Sequence, residues 1–132
     1  MSMHRLATAV VSALLFTAPT AHAQQHISGN ELYEACQSDD PVLAGFCIGY
    51  IISQIEGQSF GAFTVLNQLQ EADNAAEINE RIAAFLNYCA PDTASNEQLR
   101  DVVAVHLRDN PQTRHDPARF EVWRALMGAF PC

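Results

Sequence analysis

Four cysteines, Cys36, Cys47, Cys89 and Cys132, constrain this chain more than any other feature, and the last of them is its final residue. What a thiol does depends on the redox compartment, so the N-terminus decides how the cysteines are read. The chain opens MSMHRLATAVVSALLFTAPTAHAQQ: His4 and Arg5 precede an apolar run from Leu6 to Ala18, Pro19 breaks it, and Ala21-His22-Ala23 follows. That order matches a secretory leader with a small-x-small cleavage site. The apolar run is shorter than the ~20 residues of a membrane-spanning helix, and no later stretch is long and apolar enough to span a bilayer. Residues 1–23 therefore read as a signal peptide rather than a buried first helix, and residues 24–132 as one exported domain, soluble and located in the cell envelope. In an oxidising compartment four cysteines imply two disulfides, with three possible pairings left open by sequence. A bridge closing a loop of roughly 40 residues contributes about 4 kcal/mol in the chain-entropy model. A bridge from Cys132 would pin a C-terminus that otherwise frays.

Charge narrows the partners. The chain has no lysine, and after Arg5 its only cations besides histidine are Arg81, Arg100, Arg108, Arg114, Arg119 and Arg124, against fifteen acidic residues. A chain this acidic repels phosphate backbones and anionic membrane surfaces, which argues against nucleic acid and lipid as partners. Acidity serves solubility, and it also suits docking onto a basic protein.

The domain reads as helix after helix, each opened by a cap. Ser28 and Glu31 match a capping box before ELYEAC. Asp40-Pro41 supplies a cap and a first-turn proline, followed by Leu43, Phe46, Cys47, Tyr50 and Ile51 on one face. That helix continues toward Leu69, with Gly57 and Gly61 as candidate bend or break points. Asn74 and Glu77 open a third helix with Ile78, Ile82, Phe85, Leu86 and Cys89 on one face, stopped by Pro91. Ser95 and Gln98 begin a fourth, with Leu99, Val102, Val103 and His106 on one side. Asp116-Pro117 starts a fifth, with Phe120, Trp123, Leu126, Met127 and Phe130 as its apolar side. No alternating pattern of a strand lasts more than a few residues, so the expectation is an all-α, disulfide-stapled bundle of about five helices.

Chemistry is sparse. Two disulfides leave no thiol for a cysteine–histidine pair, and no CxxC or HxxxH spacing suggests a metal. His106 sits on an apolar face, where a hydrogen-bonded core histidine is the expectation. His115 precedes a helix start, and Asp39-Asp40 reads as cap and dipole partner. No phosphate loop, nucleophile elbow or triad signature occurs. The reading is a protein without catalytic residues, cofactor or metal.

Particular stretches resemble a known family. GFCIGYI at 45–51, ELYEAC before it, and the run from YCAP at 88–91 to the terminus, with its QLxxVV, HLRxNP, RHxPA and AFPC segments, are similar to the Rap1a/Tai immunity proteins. The resemblance covers about two-thirds of residues 24–132, densest from Cys89 to Cys132. It departs between Cys47 and Cys89, where Ile52-Ser53 stands in place of a glycine after GYI. It implies a periplasmic, helical, disulfide-bonded protein, commonly a homodimer, that guards bacteria against peptidoglycan amidases delivered by type VI secretion. Such proteins act by occlusion, inserting a surface loop or helix end into the amidase groove, with no chemistry of their own. The candidate inserted element is APDTASNE, residues 90–97, whose polar residues Asp92, Thr93, Ser95, Asn96 and Glu97 would contact the partner. The plainer possibility is a connector between helices. Two other readings compete: a small acid-activated periplasmic chaperone, and an enzyme with one cysteine kept reduced beside His106 or His115.

Overall fold

The computed structural model describes residues 26–69 and 74–132; the expected leader, residues 1–23, lies outside them. Five helices follow in order: α1 (Gly29–Gln37), α2 (Pro41–Gln68), α3 (Ala75–Leu86), α4 (Asn96–Asp109) and α5 (Ala118–Ala129). No strand occurs among the described residues, only an isolated bridge between Ser28 and Pro117.

Local chemistry sets most of the boundaries. At α1 the Ser28 hydroxyl accepts from the Glu31 amide while the Glu31 carboxylate accepts from the Ser28 amide, the reciprocal box that satisfies two orphan donors. The Asp40 carboxylate accepts from Val42 and Leu43, Asn74 from Ala76 and Glu77, and Ser95 from Gln98. Two boundaries differ from the sequence reading. α3 ends at Leu86, well before Pro91, because Asn87 adopts a left-handed conformation (φ 61°) that terminates the helix. At α5, Asp116 does not cap: the cap position is Pro117, without a side-chain bond, and the Asp116 carboxylate binds Arg124 at 2.7 Å.

α2 runs unbroken through Gly57 and Gly61 for 28 residues. Its first half joins α1, α4 and α5 around one core that includes Leu32, Cys47, Ile51, Val103, Leu107 and Leu126. Of the helices, α3 packs against α2 alone and buries none of its residues completely. Its end is tied to α5 by the Trp123 indole, which donates to the Leu86 carbonyl at 2.8 Å. Consequently Phe85, expected on a buried face, is exposed, as are Leu43 and Phe46 on α2.

The expected face of α5 also shifts. The fully buried set is Ala118, Glu121, Val122, Ala125 and Leu126, at i, i+3, i+4, i+7 and i+8, while Phe120 is exposed and Trp123 half-buried. Small residues face the core because α5 lies close to α1 and α4. Gly29 shows how close: a Cβ there would stand 2.9 Å from the Arg114 carbonyl oxygen and 3.0 Å from the Glu121 side chain. The same approach lets Gly29 donate to Asp116 (2.9 Å), Asn30 to Arg114 (2.8 Å) and Ala118 to Ile27 (2.7 Å).

Two disulfides complete the frame, as expected, and the structure chooses the pairing: Cys36–Cys47 and Cys89–Cys132. The first joins the last turn of α1 to α2, and the second ties the α3–α4 connection to the chain end. No free thiol remains, so a reduced-cysteine nucleophile has no residue to use.

Candidate functional site

The α3–α4 connection is built outward from its anchors. Asn87 turns the chain out of α3, and its amide donates to the Met127 sulfur at 3.4 Å. Tyr88 is buried, which raises its phenol pKa, and its hydroxyl reaches Gln58 at 3.5 Å. The Cys89 amide donates to the Phe130 carbonyl at 2.8 Å, alongside the disulfide to Cys132. A turn closes with Ala94 donating to the Pro91 carbonyl at 2.9 Å, and Ser95 then caps α4. The loop is thus held at both ends while Asp92 and Thr93 stand exposed at its tip.

The five residues expected to contact a partner divide into two groups. Asp92 and Thr93 lie in the loop, whereas Ser95 is a helix cap and Asn96 and Glu97 form the first turn of α4, so the loop ends at Ser95 and not at 97. All five are exposed. Asp92 borders a cavity of about 420 Å³ against α2 and α3, with Ile55, Ser59 and Tyr88. Ser95 and Glu97 border a larger trough, about 690 Å³, between α4 and α5. A hydrogen bond from its own amide, then one from Ser95, holds the Glu97 carboxyl below the usual range.

A polar cluster beside that trough escaped the sequence reading. Glu121 is fully buried, its Oε2 lying 2.9 Å from His106 Nε2 and accepting from the Thr113 hydroxyl at 3.1 Å, while its Oε1 binds Arg124. The other ring nitrogen of His106, Nδ1, lies 3.4 Å from the Asn110 side-chain amide nitrogen. Arg124 also binds Asp116, the contact that does most to raise its pKa. His106 is therefore hydrogen-bonded as expected, but it lies half-buried at the edge of the trough and not in the core. His115 is exposed, 3.5 Å from Asp116. Every partner of the Glu121 carboxylate is a donor, so the cluster acts as a strut joining α4, the following turn and α5. The signal that could have revealed it is an acid inside the i, i+3, i+4, i+7, i+8 pattern of small apolar residues on α5. Among the described residues no group of three or more histidine, cysteine or acidic side chains could hold a metal ion, and no helix is long and apolar enough to cross a membrane.

The family model for Rap1a immunity proteins matches residues 28–132. The chain belongs to the Rap1a immunity protein family. The matched span contains all four cysteines, the clamped loop and the Glu121 strut, so the disulfide-bonded frame described above is the Rap1a domain of this chain. Membership in an immunity family implies a secreted protein effector as the binding partner. No curated protein and no solved structure matches the chain significantly.

Proposed function

We propose that this Rap1a protein acts in the periplasm and neutralises a peptidoglycan amidase delivered by type VI secretion, by occluding the enzyme's active-site groove. The observation that carries the reading is the loop between α3 and α4. Its exposed tip, Asp92 and Thr93, sits between a buried Tyr88 with a disulfide on one side and a helix cap on the other. A loop ordered before binding loses less conformational freedom on docking, which favours affinity. An interface of ~1,600 Å² with a few buried anchors is enough for stable inhibition, and carboxylates at its rim speed encounter with a basic partner. The alternative chaperone reading has no counterpart in the family assignment, which names immunity.

A second copy pairing through α2 fits the same proposal. Gly45, Gly49, Ser53, Gly57 and Gly61 recur every four residues or a multiple of four, all exposed. Val42, Phe46 and Phe60 flank them and are exposed as well. Small residues in such a row let two helices approach closely, so the expected state is a homodimer with this face covered. Sedimentation of the wild type and of a Gly49→Arg, Gly57→Arg variant tests it; a monomeric wild type refutes the pairing. The inhibitory role is tested by co-expressing the protein with each amidase of the same genome directed to the periplasm. Survival that depends on the export leader supports the reading, and unaltered lysis with every amidase refutes it.

A further inference from the structure

The trough between α4 and α5 is not needed for occlusion by the loop, yet it has a built character. Its apolar lining includes Val102, the exposed Val105 and Ala125. Gly128 on α5 also lines it, and a Cβ added there would meet no atom within 4 Å. Glycine inside a helix costs about 1 kcal/mol relative to alanine. A side chain at Gly128 would enter open space beside the trough, so the glycine keeps that space clear. Among the described residues its lining carries two carboxylates, Glu97 and Asp101, together with His106, and no lysine or arginine. Asp101 is paired with Arg100 at 2.6 Å, and Glu97 accepts hydrogen bonds from its own amide and Ser95, which hold it in the charged form and keep the rim acidic.

We propose that this trough docks an amphipathic helical segment of the protein partner. The segment's apolar stripe lies on Val102, Val105 and Ala125, and a lysine or arginine beside the stripe faces Glu97 and Asp101. An open trough with an apolar floor suits a helix laid along it, whereas a small molecule requires a site that encloses most of its surface. The acidic rim, in a chain with fifteen acidic residues and seven arginines, disfavours an anionic segment. The assignment rests on the immunity reading for the identity of the partner, but not for the chemistry of the groove.

The test uses two probes, a labelled amphipathic leucine–lysine peptide helix and its leucine–glutamate counterpart, titrated into the disulfide-bonded protein by fluorescence anisotropy at low salt. The lysine peptide is expected to bind wild type and the glutamate peptide not to. Gly128→Leu, which fills the floor where space is open, should weaken binding by about tenfold or more while melting no lower than wild type. Glu97→Lys, an exposed change, should also weaken it and flatten its salt dependence. The proposal falls if wild type does not bind the lysine peptide, or if both variants bind it as wild type does. An amidase held equally by wild type and Gly128→Leu would overturn the groove assignment and leave the immunity reading standing. An amidase held by neither, with the peptide results as expected, would do the reverse.

Discussion

Replacing Glu121 by alanine removes the one acidic side chain that is completely buried among the described residues. Its carboxylate receives His106 at 2.9 Å and Thr113 at 3.1 Å, and it pairs with Arg124. Breaking a fully buried ion pair costs roughly 3–5 kcal/mol, because the abandoned charge cannot reach water. Here the charge left behind is better placed. The Arg124 side chain is 37% exposed and keeps Asp116 at 2.7 Å, so its share is discounted toward that of a surface pair. What remains is about 1 kcal/mol for each of the two donors left short, plus about 1 kcal/mol for the cavity, or about 3 kcal/mol together. For a domain of this size that lowers the melting temperature by about 10 °C or more. Glu121→Gln keeps the volume and an acceptor oxygen, so it should lose about a third as much. Thermal and urea unfolding with the disulfides intact measure both, with Arg100→Ala, on an exposed pair, as the variant that should not move. If Glu121→Ala unfolds within about 0.5 kcal/mol of wild type, the strut does not hold α4 to α5 and the reasoning is wrong.

Three further outcomes follow from the same structure. Converting Cys89 and Cys132 together to alanine opens a link across a sequence separation of 43 and should cost about 4 kcal/mol in urea unfolding; a loss under about 1 kcal/mol contradicts the staple. Gly29→Ala should cost about 1–3 kcal/mol, since its Cβ meets the Arg114 backbone and that backbone is itself hydrogen-bonded; a neutral change refutes the tight approach of α1 to α5. Hydrogen bonds from Ser28 hold the Glu31 carboxyl below its usual pKa, those from its own amide and then Ser95 do so at Glu97, and one from Arg108 does so at Asp109. Groups depressed in the folded state stabilise it above their unfolded pKa and lose that contribution as pH falls through the folded value. Melting temperature should therefore fall on acidification from about pH 5 downward, and less steeply in Glu31→Gln; a flat profile would contradict the capping box.

Much of the frame was legible because it is local. Ser28, Asp40, Asn74 and Ser95 each bond to amides two or three residues on, so a short window of sequence contains both partners. The two cross-links followed from four cysteines and an expected export leader, but their pairing depends on which parts of the helices meet. What sequence missed is set across the fold. Glu121 looks like a surface acid until His106, fifteen positions away on another helix, is brought to it. Asp116 resembled a cap because it precedes a proline, yet an arginine eight residues on captures its carboxylate. The faces expected for α2 and α5 favoured the largest side chains, whereas close packing selects small ones at Ala118 and Ala125 and leaves Phe46 and Phe120 exposed. At the candidate site, the polar stretch before α4 was visible, but its clamping by Tyr88 and its end at the Ser95 cap were not.

The proposed inhibition of an amidase by a rigid loop rests on what the exposed tip does. The most direct measurement is peptidoglycan hydrolysis by the partner amidase, titrated with disulfide-bonded wild type and with a variant carrying Asp92→Arg and Thr93→Trp at the exposed tip. Stoichiometric inhibition by wild type is expected, with inhibition lost in a variant that melts at the same temperature. Full inhibition by that variant, with its fold intact, would contradict it.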